Sequence, residues 1–246
     1  MRKRRFCCRT VSVCLSVTFV CCMQTAEDDV KLLSRTGSRI ILVCLNIRSL
    51  NNKLDDVIEI SRDHRIDVLF LVETWHDPDD VSICRLRSVV FTSSTSLVRA
   101  PSPTLFTGAR TELLDIGATP STFEFACVRV SSGAASYIVC AVYRPGSATV
   151  SATFFVDLAD VLDCLATFVE LTEVLFVVGD LNVHLERPAD APSVQLVDLL
   201  TDCNLSCRVT APTHNLGGLL HIVASRDDLP PPSVKGVDID LSDGQF

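Results

Sequence analysis

The sequence lacks the excess of positive charge that is typical of proteins with a general affinity for nucleic acid. It has 22 Lys and Arg residues against 30 Asp and Glu residues, which gives a formal net charge of -8. Any contact with DNA must therefore depend on a local basic patch rather than on the field of the whole molecule. The acidity fits carboxylates gathered around a cation, and it fits solvated surface carboxylates at least as well.

The sequence also lacks an internal repeat, and its N-terminal apolar run is too short to cross a bilayer. This run, residues 11–23, follows the basic residues 2–5 in the layout of a secretory signal peptide. Cleavage after Ala26 would place Gln24 where a small residue is preferred, so the run is either a signal peptide or a spurious upstream leader. We expect residues 1–38 to be a leader, signal-like or disordered, and we expect no transmembrane segment.

The twelve cysteines do not form an obvious disulfide framework, since five of them lie within the first 22 residues. Cys44, Cys127 and Cys140 lie in apolar runs, where a free thiol packs as a small hydrophobe, so a reducing compartment is the simpler interpretation. A zinc cluster is poorly supported, because a Cys-x3-Cys spacing near a helix end is not a usual zinc pattern. Its residues would be Cys203, Cys207, His214 and His221.

Alternating apolar runs and amphipathic segments predict one α/β domain over residues 39–246, and 48% hydrophobic content is enough for a large core. Residues 40–45 and 68–72 predict buried strands on either side of a helix that ends near residue 65. Further strands are predicted at residues 122–130, 137–143, 174–178 and 219–224, and helices at residues 154–165 and 194–200. Residues 91–110 are rich in Ser, Thr and Pro, and we expect a loop there.

Polar residues follow several of these strands, where open α/β sheets place their ligands. The candidates are Asn46, Glu73, Asp180, Asn182 and Asp243. Oxygen ligands of this kind suit Mg²⁺, which retains positions for water and phosphate oxygens. For any one position taken alone, a hydrogen bond within a turn is the alternative.

Taken together, the candidates lie in an ordered series of motifs. The series is Asn46-Ile47-Arg48-Ser49-Leu50-Asn51-Asn52-Lys53, Glu73-Thr74-Trp75, Val142-Tyr143-Arg144-Pro145-Gly146, Gly179-Asp180-Leu181-Asn182 and Leu241-Ser242-Asp243. It resembles the endonuclease/exonuclease/phosphatase superfamily, and in detail the apurinic-type endonucleases of LINE-type, non-LTR retrotransposons, here as a degenerate and truncated copy. The resemblance implies a four-layer αββα sandwich of two mixed β-sheets, with one core strand missing or altered.

The resemblance also implies roles for individual residues in the hydrolysis of a DNA phosphodiester. Metal ligands would be Glu73, Asn46 and Asp243, with Mg²⁺ or Mn²⁺ as the ion and no small-molecule cofactor. Tyr143 would meet the scissile phosphate, while Asp180 and Asn182 would orient the attacking water and stabilise the transition state. Phosphate contacts would come from Arg48, Arg144 and Asn182.

Three departures from the family pattern predict that this chain has lost catalytic power. Gly244 stands where the family has its catalytic histidine, and His221 stands where it has the aspartate that orients that histidine. Gly108 is the only glycine in residues 91–110, where the family has a Gly-Gly-hydrophobic core strand. Rescue by His184, His214 or His221 would need a fortuitous geometry, so an exposed or structural role is expected for them.

Two alternatives remain open. One is a non-catalytic binding or secreted pseudoenzyme that keeps only the shell of the fold. The other is a phosphatase-type or sphingomyelinase-like member of the same superfamily. The family resemblance implies a nuclear or cytoplasmic protein with DNA as a weak or vestigial partner, whereas a working signal peptide in residues 1–26 would imply secretion.

Overall fold

A computed structural model describes most of residues 39–246 and one segment before them. The described residues are 16–23, 39–47, 50, 53–72, 104–107, 110–132, 135–170, 173–213, 217–229 and 231–238.

Within the described residues, the first sheet has five strands and is mixed. They are β1 (Ser16–Met23), β2 (Arg39–Asn46), β3 (Val68–Val72), β4 (Thr104–Thr107) and β11 (Ser233–Asp238). Their order is β11-β1-β2-β3-β4, with β4 antiparallel to β3 and the other neighbours parallel. All five residues of β3 are buried, as its unbroken apolar run predicts for a strand covered on both faces.

The second sheet, as far as the structure describes the chain, has six strands and is also mixed. They are β5 (Arg110–Leu113), β6 (Glu124–Ser132), β7 (Ala135–Tyr143), β8 (Val174–Asp180), β9 (Leu205–Cys207) and β10 (His221–Arg226). Their order is β5-β6-β7-β8-β10-β9, in which only β7 and β8 run parallel. Because β7 and β8 are parallel, their carboxyl ends lie at the same edge of this sheet.

Helices cover the outer face of each sheet. The first sheet carries α1 (Leu54–Asp63), which packs Val57 and Ile58 against β2 and β3. The second sheet carries α2 (Ala152–Phe168) and α3 (Ala191–Asp202). The Ser151 side chain caps α2 by accepting a hydrogen bond from the Phe154 N–H at 3.3 Å.

A separate apolar core joins the two sheets face to face. Alternate residues of β2 and β3 pack there against β6, β7, β8 and β10, for example Leu42 and Phe70 with Val139 and Val178. The layers are therefore helix, sheet, sheet and helix, and the predicted αββα sandwich of two mixed sheets is confirmed. None of the helices in the described part of the chain combines the length and apolar character needed to cross a membrane.

Two elements differ from or extend the sequence predictions. The prediction of a loop over residues 91–110 is wrong for Thr104–Thr107, a short run containing threonine and phenylalanine that pairs with β3. It is also wrong for Arg110, which begins β5. Residues 91–103, 108 and 109 lie outside the described residues. The segment Ser16–Met23 pairs with β2 on one side and β11 on the other. Its removal as a leader, and the domain boundary at residue 39, stay predictions.

Candidate functional site

Two of the predicted site residues meet where the two sheets come together. Asn46 is the last residue of β2 and Asp180 is the last residue of β8. The Asn46 Nδ2 group donates a hydrogen bond to Asp180 Oδ2 at 3.2 Å, across 134 positions of sequence. The structure therefore brings together one predicted site residue from each sheet.

The Asp180 carboxylate is buried and oriented through both of its oxygens. Only 4% of the residue is exposed. Oδ1 accepts the backbone N–H of Asn182 at 3.1 Å, and Oδ2 accepts the Asn46 amide. A buried carboxylate is tolerated when its oxygens accept hydrogen bonds, and here those bonds also fix the direction in which the group points.

Tyr143, Asp180 and His221 form a row across the second sheet. Tyr143 is the register partner of Asp180 on β7, and His221 is its partner on β10. The His221 Nε2 atom lies 3.9 Å from Asp180 Oδ2, which is too long for a hydrogen bond but within ion-pair range for a protonated imidazole. His221, which the family resemblance predicted to replace an orienting aspartate, thus has its imidazole beside Asp180.

Asn182 has a left-handed backbone conformation and a tightly held side chain. Its φ is +51°, a region that asparagine tolerates better than most residues. Its Nδ2 group donates to the carbonyl oxygen of Arg144 at 2.8 Å. A Cβ added at Gly146 would lie 2.9 Å from Asn182 Oδ1, so a larger residue there would displace the Asn182 side chain.

Arg144 is buried, and its guanidinium faces backbone carbonyls of the protein. Nε donates to Leu181 O at 2.7 Å, Nη2 to Asn182 O at 2.8 Å and Nη1 to Ala148 O at 2.5 Å. Burial lowers the pKa of Arg144, and the nearby Asp180 carboxylate opposes that shift. The predicted contact of Arg144 with a phosphate stays a prediction, and sequence patterns gave no sign of these carbonyl partners.

A second polar pair lies two residues beyond Asn182 and was not predicted as a pair. His184 Nδ1 lies 2.6 Å from Glu186 Oε1, and Glu186 Oε2 accepts the Leu219 N–H at 2.8 Å. Burial raises the pKa of Glu186, but the hydrogen bonds from Leu219 and His184 outweigh it and hold the pKa below its usual range. The pair therefore ties the chain after Asn182 to the segment before β10.

The remaining predicted residues cannot be placed. Glu73, Asp243, Arg48, Gly244 and His214 lie outside the described residues. In sequence, Glu73 directly follows Val72, the register partner of Asn46.

The described residues offer oxygen donors of the type that a hard cation prefers, but they offer too few of them to hold one. Asn46 and Asp180 carry the oxygen donors that Mg²⁺ prefers. Among the residues that the structure describes, no group of three His, Cys, Asp or Glu side chains could hold a metal ion. The two carboxylates predicted as ligands, Glu73 and Asp243, would have to complete the set.

Comparison with solved structures finds the same fold in several proteins at low sequence identity. The endonuclease domain of TRAS1, a telomere-specific non-LTR retrotransposon, is 10% identical with a TM-score of 0.54, over 76% of this chain and 85% of that chain. A beta toxin from Staphylococcus aureus is 13% identical with a TM-score of 0.57, over 81% and 93%. An endonuclease/exonuclease/phosphatase family protein from Leptotrichia buccalis is 10% identical with a TM-score of 0.52, over 80% and 90%.

No family model matches the chain, and no curated protein matches it in sequence. At these identities the similarity concerns the fold, and it agrees with the motif series found in the sequence. The chain has the fold of the endonuclease/exonuclease/phosphatase superfamily, which is also the fold of a non-LTR retrotransposon endonuclease domain.

Proposed function

We propose that the chain is a metal-dependent phosphodiester hydrolase-like domain, a DNA endonuclease derived from a non-LTR retrotransposon, with impaired catalysis. The observation that carries this proposal is the hydrogen bond between Asn46 and Asp180, with Asn182 bonded to the same carboxylate. Three motif residues from two sheets thereby meet at one edge of the sandwich. The TRAS1 domain supports this choice, because its fold is similar and its name describes it as the endonuclease domain of a non-LTR retrotransposon.

In this proposal the buried carboxylate of Asp180 orients the attacking water by accepting one of its hydrogens. The Asn46 and Asn182 hydrogen bonds hold that carboxylate in place before substrate arrives, so little reorganisation is needed. The Asn182 amide donates one hydrogen to Arg144 O and has a second for a phosphate oxygen. Tyr143, the register partner of Asp180, would donate to the scissile phosphate.

Glu73, Asn46 and Asp243 would hold Mg²⁺ or Mn²⁺, which when bound supplies positive charge to the phosphate oxygens. Hydrolysis breaks the bond between phosphorus and the leaving sugar oxygen, and that oxygen then needs a proton. The family's histidine is replaced by Gly244, which has no side chain to position a proton donor. A positioned acid or base contributes about 10²- to 10⁴-fold, so a loss of this order is proposed here.

DNA is proposed as a weak or vestigial partner, because the net charge of -8 opposes general attraction to phosphates. A nuclear or cytoplasmic location follows from the proposed role. Secretion is the alternative if residues 1–26 act as a signal peptide.

The test compares supercoiled-plasmid nicking, with Mg²⁺ and with Mn²⁺, by the wild-type protein and by a restored variant carrying Gly244→His and His221→Asp. Wild type is expected to nick at a rate near background, and the restored variant about 10²-fold faster. Asp180→Asn in the restored background is the control and should abolish the gain. Robust cleavage by wild type would overturn the loss of activity, and a folded restored variant that neither binds nor nicks DNA would overturn the nuclease assignment.

A second candidate is a phosphodiesterase that acts on a non-nucleic-acid substrate. It is favoured by the similar fold of sphingomyelinase C from Streptomyces griseocarneus, which is 14% identical with a TM-score of 0.53 over 80% of this chain. Hydrolysis of sphingomyelin vesicles by the restored variant, without plasmid nicking, would select this candidate. Absence of both activities would leave the non-catalytic binding protein.

A further inference from the structure

The buried side chain of Arg144 joins two motif segments that lie far apart in sequence. Its three donor nitrogens bond to the carbonyl oxygens of Leu181, Asn182 and Ala148. The residue is 2% exposed, and its guanidinium carbon lies 5.6 Å from the centroid of the Phe154 ring. A guanidinium in this setting is stabilised by charge-assisted hydrogen bonds and by the aromatic face, all from within the protein.

The connection is reciprocal. While the Arg144 side chain holds the main chain of Asn182, the Asn182 side chain donates to the carbonyl of Arg144. The Arg144 N–H also donates to Asp180 O at 2.9 Å, which continues the pairing of β7 and β8. The two segments are therefore fixed to each other by both side chains and by the main chain.

This arrangement determines where the Asn182 amide points. The left-handed conformation of Asn182 is uncommon for a residue with a Cβ, although asparagine tolerates it better than most, and the Asn182 carbonyl is held in that conformation by Nη2 of Arg144. Without the guanidinium, the carbonyls of Leu181 and Asn182 would lose charge-assisted partners, and the loop would be free to relax. Turning the guanidinium toward a phosphate would break the same bonds.

We infer that Arg144 is a positioning residue that sets the Asn182 amide through the main chain of residues 181–182, and that it does not touch DNA phosphate itself. The effect of this positioning on DNA binding rests on the proposed nuclease function. A direct phosphate ligand and a positioning residue differ in three measurable ways: the salt dependence of DNA binding, the effect of lysine in place of arginine, and the coupling to Asn182.

The experiment measures the affinity of a short DNA duplex, with Mg²⁺ present, by fluorescence anisotropy over a series of salt concentrations. Arg144→Met and Arg144→Lys are each expected to weaken binding about tenfold, because the Asn182 amide is displaced from phosphate. The slope of log Kd against log salt should not change, whereas loss of a phosphate contact lowers it by about one. In an Asn182→Ala background, Arg144→Met should have no further effect.

Arg226→Met is the matched control, since Arg226 is 1% exposed and bonds to Asp228 and to the Glu173 carbonyl. It should lower thermal stability as Arg144→Met does and leave DNA affinity unchanged. Three results would overturn the inference: a salt slope reduced by about one in Arg144→Met, affinity restored by Arg144→Lys, or additive losses in the double variant. If Arg144→Met does not fold, Arg144→Lys is measured against the same outcomes.

Failure of the proposed function is distinguishable from failure of this inference. If wild type binds no DNA, the nuclease proposal fails, and NMR of the Asn182 side-chain amide still decides the role of Arg144. The amide resonance should shift toward the position of a free asparagine in the Arg144 variants and stay in place in Arg226→Met. An unshifted resonance in the Arg144 variants would overturn the inference.

Discussion

Replacing Gly179 by alanine is expected to disrupt the pairing of β8 with β7 directly before the Asp180 carboxylate. Gly179 has a φ of +140°, and a Cβ built on it would lie 1.8 Å from the Val142 carbonyl oxygen. Strain of this backbone type costs about 1–3 kcal/mol, and relieving such an overlap typically costs about 1–3 kcal/mol more. A loss of about 4 kcal/mol is large beside a domain stability of about 5–15 kcal/mol.

Gly117→Ala is the control for this substitution. Gly117 also has a positive φ, +70°, but nothing lies within 4 Å of a Cβ built there. Its replacement should cost only the left-handed backbone penalty, about 1–2 kcal/mol. At about 2–4 °C per kcal/mol, thermal unfolding should show a fall of about 10 °C or more for Gly179→Ala and a few degrees for Gly117→Ala. Equal losses in the two variants would refute the reasoning from the Val142 contact.

Two further predictions concern buried polar groups away from the site. Tyr137→Phe should stabilise the protein by about 1 kcal/mol in urea unfolding, because it removes a buried hydroxyl that neither donates nor accepts a hydrogen bond within the described part of the chain. A loss of stability would show that this hydroxyl has a partner. Burial raises the pKa of Glu173, but hydrogen bonds from Arg129, Ser136 and the Glu170 N–H outweigh it and lower the pKa. The contribution of Glu173 to the free energy of unfolding should therefore be complete above the ordinary carboxyl pKa. It should be lost as the pH falls through the lowered pKa of the folded state. Glu173→Gln should flatten the acid side of the stability profile, and an unchanged profile would contradict this.

The long apolar runs made individual strands predictable from sequence, whereas the four-layer sandwich was implied by the family resemblance. Val68–Val72 has the predicted bounds, because an unbroken apolar run of that length is typical of a buried strand. The strand Thr104–Thr107 was not predicted, since four residues within a Ser, Thr and Pro-rich segment give no periodicity. The strand Ser16–Met23 was not predicted either, because a short apolar run after basic residues has the composition of both a signal peptide and a buried strand.

The contacts among the candidate site residues were not predictable from sequence. Asn46 and Asp180 were selected as polar residues at strand ends, and the structure brings them together although their strands belong to different sheets. Arg144 was predicted as a phosphate ligand from its place beside a tyrosine and a Pro-Gly pair. Two of the three carbonyls that accept from its guanidinium come from a segment almost forty residues later, which no local pattern indicates. Likewise, the approach of His221 to Asp180 depends on the antiparallel register of β10 with β8, which no local pattern specifies.

Binding of Mn²⁺, followed by NMR, tests most directly whether the ends of β2 and β8 form one cation and phosphate site. The paramagnetic ion should broaden the side-chain amide resonances of Asn46 and Asn182 first. Asn204 is the internal reference, because its carbonyl bonds to Asp227 beyond the far end of β10, which is six residues or roughly 20 Å long. Selective broadening of Asn46 and Asn182 at low Mn²⁺ is the predicted result, and equal broadening of all three resonances, or none at Asn46, would contradict the shared site.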